Sequence, residues 1–563
     1  MPICFFLSVL PALATQSPDP QGPLPVEIFD LRALRWEAPA SPPPPIAHLL
    51  DRSGMRSSLL DEDLSPSFRA EKAADWLGNL NKEALEQGRG QLRAEGTWLV
   101  MQADSSLLPQ LKEQLEALTA ILTRPIEIEA CLYEAPASGT WPPVLTAGAF
   151  AERTRGHDPL WRSTSRTRYA GRVELGRENW TSYVRSVYAE VAQNTKSVAP
   201  AIGRFFSGVR VSALPFALAG SEDVVLHAQF AVAEPREVLS RPTGFPGQAN
   251  LETPVLEYAV GAMSGRVPPG GALAVTFTGS PTSGKRCVLT LRAILPAPRP
   301  PFRVGKCMLF PIGALTSNGL AKSRRVPWKD SDEDDLVQES EDEEVQPGIS
   351  LAELESLLQS AAGSENAEVS MGRLWARVAG SEPALQRAQK AIVAIEDRLP
   401  RNEDLALRLV PLAAPSAGLL PGRAGNPLHE FRTPSLPGRT VCFQRGVAMT
   451  APIEIAVELA QDSAIQIPSV ISRSTGAFGS AVAAETPQGR HLRLFASFAS
   501  EVESVRRVLE SGGVLVLPRP DIVDASWDGL AKGEADVDLG EGPRCRVDGR
   551  TCGSAISFRL GGG

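Results

Sequence analysis

One stretch of the sequence has the residue types of a phosphate-binding loop. Residues 279–285 fit the spacing Gly-x4-Gly-Lys, in which backbone amides and the lysine hold nucleotide phosphates. The next residue is Arg286, so the hydroxyl that binds Mg²⁺ in such loops is missing. Residues 287–291 have the composition of a strand, whereas a phosphate loop leads into a helix. We therefore predict a hairpin loop here and no nucleotide cofactor.

Other catalytic patterns are absent from the sequence. The five histidines are scattered, and no His or Cys cluster has the spacing of metal ligands. There is also no Gly-x-Ser-x-Gly turn that would expose a nucleophilic serine. These patterns predict a non-enzymatic protein without catalytic residues, metal or cofactor. An exported enzyme with a site assembled from dispersed residues is the less favoured alternative.

Four polar residues recur at matching places in two halves of the chain. Glu190 and Gln193 correspond to Glu458 and Gln461. They are predicted either to fix strand pairing through hydrogen bonds or to line a binding site. The structural interpretation is favoured, because a single carboxylate lacks the second titrating group that acid–base catalysis usually needs.

Two cysteines have the spacing of a disulfide across a hairpin. Cys545 and Cys552 flank Asp548-Gly549, a dipeptide that favours a two-residue turn. That register places the two cysteines opposite each other, at a separation that a disulfide can bridge. The sequence therefore predicts a Cys545–Cys552 disulfide in an oxidising compartment, with two free thiols as the alternative.

The chain contains a tandem duplication. Residues 190–231 and 458–499 align without a gap at an offset of 268, with 11 identities in 42 positions. Unrelated segments of ordinary composition would share about 2–3. A leucine stripe from Leu107 to Leu122 predicts a helix between two short strands, and a similar pattern returns at an offset of about 277.

These patterns predict an α+β fold, a tandem repeat of a small strand–helix–strand unit followed by a β-rich domain. The predicted segments are a signal peptide (1–14), a Pro-rich linker (15–50), a helical segment with the first small α/β unit (51–138), a first β-rich domain (139–300), an acidic disordered linker (301–347), a second small α/β unit (348–415) and a second β-rich domain (416–563).

Charge and targeting features limit the class of partner. The net charge of −8 argues against nucleic-acid binding, which needs a basic surface. The short apolar N-terminus with small residues at 12 and 14 predicts export to the periplasm or cell envelope. Ten acidic residues lie between Asp330 and Glu344. This linker is expected either to bind a basic partner or cations, or to act as a solvated spacer.

The order of features resembles that of bacterial secretins, the outer-membrane ring proteins of secretion and pilus systems. Residues 124–130 resemble the strand that leads into the secretin pore domain, and 208–215 resemble a Gly-x-x-Leu-x-Val-x-Pro stretch. Residues 253–255 and 270–273 resemble a later Thr-x-Val segment and a Gly-rich hairpin. A Val-Pro-x-Leu-Gly-Asp-Ile-Pro type motif is absent, and no alternating run long enough to cross a bilayer is seen.

The resemblance implies an exported envelope scaffold or protein-interaction protein built from two secretin-like modules and linked to secretion machinery. It would act through protein partners or self-association, and ring-type oligomers and an association with the outer membrane remain open. The alternative within the same resemblance is a true secretin-type pore or secretion-apparatus component.

Overall fold

A computed structural model describes most of the chain. The described residues are 24–31, 70–135, 141–169, 171–192, 195–241, 250–278, 286–295, 303–304, 306–316, 349–363, 367–371, 375–397, 403–411, 429–436, 441–460, 463–486, 489–508, 514–531, 535–547 and 550–562. The predicted signal peptide, the acidic run at 330–344 and the glycine-rich loop at 279–285 lie outside them.

The first compact unit, which we call α/β module 1, is a small sheet covered by helices. Its elements are β1 (Val26–Asp30), α1 (Ala70–Leu80), α2 (Lys82–Glu86), β2 (Gly90–Glu95), β3 (Trp98–Ala103) and α3 (Leu107–Leu122). The strands form an antiparallel sheet in the order β1-β3-β2. The leucine stripe of α3 is buried, as its helical spacing predicts: Leu107, Leu108, Leu111, Leu115 and Leu118.

The chain then enters a β-rich region, β repeat 1. Its elements are β4 (Pro125–Ala135), β5 (Val144–Leu145), α4 (Ala147–Thr154), β6 (Trp161–Arg168), β7 (Val173–Ala192), β8 (Thr195–Ala217), β9 (Val224–Arg241), β10 (Leu251–Val267), β11 (Ala272–Thr278) and β12 (Arg286–Ile294).

The second half of the chain repeats this order. α/β module 2 comprises β13 (Arg303–Val304), β14 (Cys307–Pro311), α5 (Gly313–Thr316), α6 (Leu351–Ala362), β15 (Ala367–Met371), β16 (Trp375–Gly380) and α7 (Glu382–Asp397). β repeat 2 comprises β17 (Glu403–Pro411), β18 (His429–Ser435), β19 (Val441–Ala460), β20 (Ser463–Thr486), β21 (Gly489–Val508), β22 (Val514–Ala531), β23 (Ala535–Val547) and β24 (Arg550–Gly562). The module 2 sheet has the order β13-β14-β16-β15, so its β14-β16-β15 part matches β1-β3-β2.

Two large antiparallel sheets contain strands from both β repeats. The first has the order β22-β21-β20-β19-β10-β9-β8-β7. The second has the order β23-β24-β17-β18-β11-β12-β4-β6, with β5 paired to β11. Apolar side chains from both sheets, among them Val211, Phe230, Phe277 and Leu289, form one buried core between them.

The duplication is visible in the pairing of the strands. Glu190 pairs with Ser197 in the β7–β8 hairpin, and at the offset of the duplication Glu458 pairs with Ile465 in the β19–β20 hairpin. The bulge that follows Val184 in β7 returns after Pro452 in β19, at the same offset. The two repeats therefore share strand order, and these two hairpins also share register and bulge. The next pair of strands differs by two residues, because Val211 pairs with Phe230 whereas its counterpart Gly479 pairs with Ala496.

One irregularity common to the two repeats explains a glycine pair. Gly208 and Gly476 have φ of 116° and 138°, a region that L side chains rarely adopt. A Cβ atom on Gly208 would lie 2.0 Å from the Arg177 carbonyl oxygen, and one on Gly476 would lie 2.1 Å from that of Arg445. Each repeat thus needs a glycine where β8 or β20 passes close to the neighbouring strand.

The predicted α+β class with a strand–helix–strand repeat is wrong, because the fold is mostly β. In the first half the predicted closing strand, β4, leaves the helical unit and pairs with β12 and β6. In the second half β17 pairs with β18 and β24. Ile126, Ile128 and Leu132 of β4 reach the core between the large sheets, so burial there determines where this strand pairs.

The sequence also failed to predict the long strands. β8 has 23 residues and β20 has 24. Glycines and prolines within these strands interrupt the apolar–polar alternation, which made each strand look like several short ones. Among the described residues, no helix is both long and apolar enough to span a membrane.

Candidate interaction site at the sheet edges

Two of the four shared polar residues lie on equivalent strands. Glu190 is near the end of β7 and Glu458 is at the same place in β19. Gln193 and Gln461 lie outside the described residues. Their side-chain roles stay predictions.

The cysteine hairpin has the predicted register. Cys545 in β23 pairs with Cys552 in β24, and the turn between them follows Val547. The disulfide itself remains a prediction. Cys131 and Cys307 are buried free thiols. Burial raises the pKa of the Cys131 thiol to about 11, which makes it a poor nucleophile.

The described residues contain no group of three or more His, Cys, Asp or Glu side chains placed to hold a metal ion. The residues after the glycine-rich loop form the strand β12. A helix N-terminus that could bind phosphate is therefore missing at that position. His227 is fully buried, and its Nδ1 lies 2.7 Å from the Ser264 hydroxyl.

The two β repeats meet through paired strands, stacked aromatic rings and buried ion pairs. We call this contact the inner joint. In the first sheet Val255–Gly261 of β10 pairs with Phe443–Met449 of β19. In the second sheet Thr276 and Phe277 of β11 pair with Arg432 and Phe431 of β18. The repeats are therefore merged through both sheets at once.

A stack of aromatic rings crosses the inner joint. The Phe431 ring lies 4.2 Å from Phe443 and 6.1 Å from Phe230, nearly parallel to both. Phe230 also stacks on Phe277 at 5.9 Å. Two of these rings come from each repeat, and all four are buried. Their burial makes the joint an apolar core rather than a surface contact.

Arg445 of β19 forms hydrogen bonds and an ion pair with the first repeat. Its side chain is almost fully buried and donates hydrogen bonds to the carbonyl oxygens of Tyr258 (2.6 Å) and Thr278 (2.9 Å). It also lies 3.4 Å from the Glu257 carboxylate. Desolvation lowers the pKa of Arg445, and the nearby carboxylate opposes that shift. These three groups all belong to β repeat 1.

A second ion pair crosses the joint in the other sheet. The Glu430 carboxylate of β18 lies 2.7 Å from the Arg286 guanidinium of β12 and 3.0 Å from that of Arg408. Glu430 is buried, so the two arginines compensate the cost of removing its charge from water.

The inner joint uses one edge of each repeat and leaves the opposite edges without a strand neighbour among the described residues. We call β6 and β7 the leading edge and β22 and β23 the trailing edge. β7 is equivalent to β19, and β22 is equivalent to β10. The two outer edges are therefore equivalent to the two edges that meet at the inner joint.

The exposed part of β7 corresponds to the part of β19 that pairs with β10 in the inner joint. The residues of β19 in the joint, Phe443–Met449, correspond to Leu175–Thr181 of β7 at the offset of 268. The continuous run Gly176–Ser182 is exposed. Further along, the Val184 amide donates to the Glu252 carboxylate, so β7 turns back onto β10 there.

Arg177 is the counterpart of Arg445 and is exposed on this free edge. Sequence reasoning singled out neither arginine. The aligned segments compared at the offset of 268 begin at 190 and 458, so this pair fell just outside them. Extending the alignment toward the N-terminus would have found it.

Comparisons with known proteins give a distant similarity. No protein-family model and no curated protein matches the chain. A structure of the Salmonella SPI-1 type III secretion injectisome secretin InvG is similar at 11% identity and a TM-score of 0.20, over 39% of this chain and 79% of that one. An atomic model of the basal body proteins InvG, PrgH and PrgK matches at 11% identity and a TM-score of 0.20, over 39% and 56%. The expected resemblance to secretins is thus supported as a distant structural similarity only, and scores of this size assign no function.

Proposed function

We propose that the protein is a non-enzymatic scaffold that self-associates through its free sheet edges. The observation that carries this proposal is the inner joint, where two copies of one repeat already pair through both sheets. An interface between unlike edges generates a ring or a filament when it is repeated. Each chain would contribute two repeats to such an assembly.

The internal equivalence specifies the register between two chains. Val211 pairs with Phe230 and its counterpart Gly479 pairs with Ala496, so Ala496 takes the place of Phe230 in the second repeat. Phe230 pairs with Gly261 and Ala496 pairs with Ala525, so β22 follows β10 at an offset of 264. If two chains pair as the repeats do at the inner joint, Arg519–Ala525 of one chain pairs with Leu175–Thr181 of the next. Pro520 lacks an amide donor, so this ladder is weaker than the inner joint.

The transferred register places opposite charges across the interface. Arg177 of one chain would stand opposite Val523 of the other and diagonal to Asp521, where the inner joint has Arg445 opposite Ala259. An opposite-charge pair across antiparallel strands contributes about 0.2–1 kcal/mol.

A charge exchange tests the proposal. Arg177→Asp and Asp521→Arg should each weaken self-association of the full chain by roughly 0.4–2 kcal/mol, because each replaces an attraction with a repulsion. The double variant should recover most of the loss. Sedimentation velocity over a concentration series measures the effect. Arg236→Asp, at an exposed position of the inner strand β9, is the matched control and should associate like the wild type.

Two results would contradict the proposal. A chain that stays at its 60.1 kDa monomer mass at every concentration would remove self-association altogether. Assemblies that respond equally to Arg177→Asp and Arg236→Asp would mean that another surface holds the chains together.

We also propose that the scaffold is exported and works in the cell envelope, in association with secretion machinery. The predicted signal peptide at residues 1–14 supports export. Fractionation of tagged protein, with the native mass of each pool, tests the location. Heat- and detergent-resistant multimers in the outer membrane would favour the pore alternative, and retention in the cytoplasm would contradict the proposed location.

A further inference from the structure

The α/β module 2 packs on the end of the first large sheet, and aromatic rings form the apolar part of this interface. The Trp375 ring of β16 lies 4.6 Å from that of Tyr169, which follows β6. The Gly313 amide donates to the Tyr169 hydroxyl at 2.9 Å. Phe216 of β8 lies 5.9 Å from the Tyr169 ring, and a Cβ atom on Gly313 would lie 2.7 Å from its Cδ1 atom. These residues join module 2 to β repeat 1, and we call the whole interface the docking contact.

The polar part of the docking contact lies at the end of α7. The Glu396 carboxylate accepts hydrogen bonds from the amides of Ala219 and Gly220, each at 2.6 Å. A Cβ atom on Gly220 would lie 2.8 Å from a methyl group of Val393, so α7 lies directly on this loop. Arg266 of β10 donates to the Glu396 carbonyl oxygen at 3.4 Å. Because the loop follows β8 directly, the polar and apolar parts meet at the end of that strand.

A buried histidine lies next to the docking contact. His227 of β9 is fully buried and pairs with Ser264 of β10. Its Nδ1 atom lies 2.7 Å from the Ser264 hydroxyl oxygen. The Phe216 ring meets the imidazole edge to face, with the ring centres 5.5 Å apart. Phe216 therefore contacts the imidazole as well as the residues of module 2, so that a change at His227 reaches the docking contact through one side chain.

The charged and titratable side chains around His227 and the docking contact come from every element that packs there. They are Arg266 with Asp223, Arg172 with Glu174, Arg377 with Glu368, and Tyr169 and Glu396 of the docking contact itself. Arginine and tyrosine side chains do not change charge between about pH 7.5 and 5, and burial raises the pKa of Tyr169 further. Carboxylates that lie beside a guanidinium group or accept amide hydrogen bonds keep their charge in that range. His227 is therefore the described side chain of this cluster whose charge can change there.

We propose that His227 makes the docking of module 2 onto β repeat 1 sensitive to acid. A histidine side chain in water takes up a proton near about pH 6.5, whereas burial disfavours the charged imidazolium. The docked form therefore binds this proton less readily than a form in which module 2 has moved away and water reaches the imidazole. By linkage, docking is strongest above about pH 6.5 and weakens as the pH falls below that value. The inference is independent of the proposed self-association, because all of these groups belong to one chain.

The exposure of Trp375 in the full-length chain at several pH values tests the proposal. Hydroxyl-radical footprinting read by mass spectrometry reports on each tryptophan separately. Trp375 is 8% exposed, and Trp180, which is 41% exposed, is the internal reference that corrects for the effect of pH on the labelling. The chain is kept dilute, so that self-association does not cover Trp180. We expect the oxidation of Trp375 relative to Trp180 to rise several-fold between about pH 7.5 and about pH 5, and a constant ratio would overturn the proposal.

Two replacements of His227 that do not titrate assign the acid response. His227→Gln keeps a hydrogen-bonding group beside Ser264, whereas His227→Phe keeps an aromatic ring beside Phe216. Circular dichroism identifies which variants are folded, and a folded variant should keep Trp375 protected at about pH 5. His157→Gln, at an exposed position after α4, is the matched control and should respond to acid like the wild type. An acid response that persists in a folded His227 variant would contradict the proposal.

Glu396→Gln distinguishes the histidine from the carboxylate of the same contact. Glutamine retains one carbonyl oxygen for the amides of Ala219 and Gly220 but carries no titrating group. We expect Trp375 to be more oxidised in this variant at every pH, because the amides lose a charged acceptor. The ratio to Trp180 should still rise several-fold toward about pH 5. A ratio that no longer depends on pH would assign the response to Glu396 and would overturn the role of His227.

Discussion

The inner joint and the free edges are built from equivalent strands of the two repeats, but their side chains have different contacts. At the joint, Arg445 is buried among carbonyl oxygens of the first repeat, whereas its counterpart Arg177 is exposed. Phe431 stacks at the joint, and its counterpart at the leading edge is Ser163. The comparison shows an apolar core at the joint, whereas the described run Gly176–Ser182 of the leading edge is exposed to solvent.

The largest expected difference between the two regions is the effect of removing an aromatic ring from the joint. Phe431→Ala should lower the free energy of unfolding by about 3–5 kcal/mol, because it leaves a cavity between Phe230 and Phe443. Ser163→Ala, at the equivalent position of the leading edge, should change it by less than about 0.5 kcal/mol. Chemical denaturation followed by circular dichroism measures both. Similar losses in the two variants would mean that the joint is not a distinct core.

The glycine pair tests whether the two repeats are under the same backbone constraint. Gly208→Ala and Gly476→Ala should each cost about 2–5 kcal/mol, from the unfavourable φ and the shift needed to separate Cβ from a carbonyl oxygen. Gly78→Ala in α1 is the control, because a Cβ there meets no atom within 4 Å. It should be neutral or stabilising by up to about 1 kcal/mol. A loss in only one repeat would show that the equivalence of β8 and β20 is incomplete.

The two arginines provide a smaller but sharper contrast. Arg445→Met should destabilise the chain by about 1–3 kcal/mol, because it leaves buried carbonyl oxygens without their donor. Arg177→Met should change the stability of the dilute monomer by less than about 0.5 kcal/mol while weakening self-association. Thermal unfolding and sedimentation velocity separate these effects. Equal effects of the two variants on monomer stability would contradict the difference between joint and edge.

The sequence was sufficient to detect the duplication because identities such as Gly208 with Gly476 mark backbone positions that tolerate no side chain. The leucine stripe of α3 was predictable because helical periodicity is a local property. The partner of β4 was not predictable from its neighbours, because it pairs with β12, a strand separated from it in the sequence by β5 to β11. Pairing over such separations depends on a shared core that no local window contains.

In the candidate site, too, local features were predictable from the sequence and contacts between distant strands were not. The hairpin register of Cys545 and Cys552 followed from the turn residues between them. The inner joint did not, because its four phenylalanines come from four strands in two sheets. Arg177 gains its significance only from comparison with Arg445, whose buried contacts require the folded structure.

Cysteine cross-linking between chains would test the central claim most directly, that leading and trailing edges pair in the register of the inner joint. A mixture of full-length Asn179→Cys and Asp521→Cys chains, which the register places opposite each other, is oxidised, and the linked peptides are identified by mass spectrometry. The account predicts a 179–521 link between the two chains, and far less linking when Leu517→Cys replaces Asp521→Cys. No link, or equal linking at both positions, would contradict it.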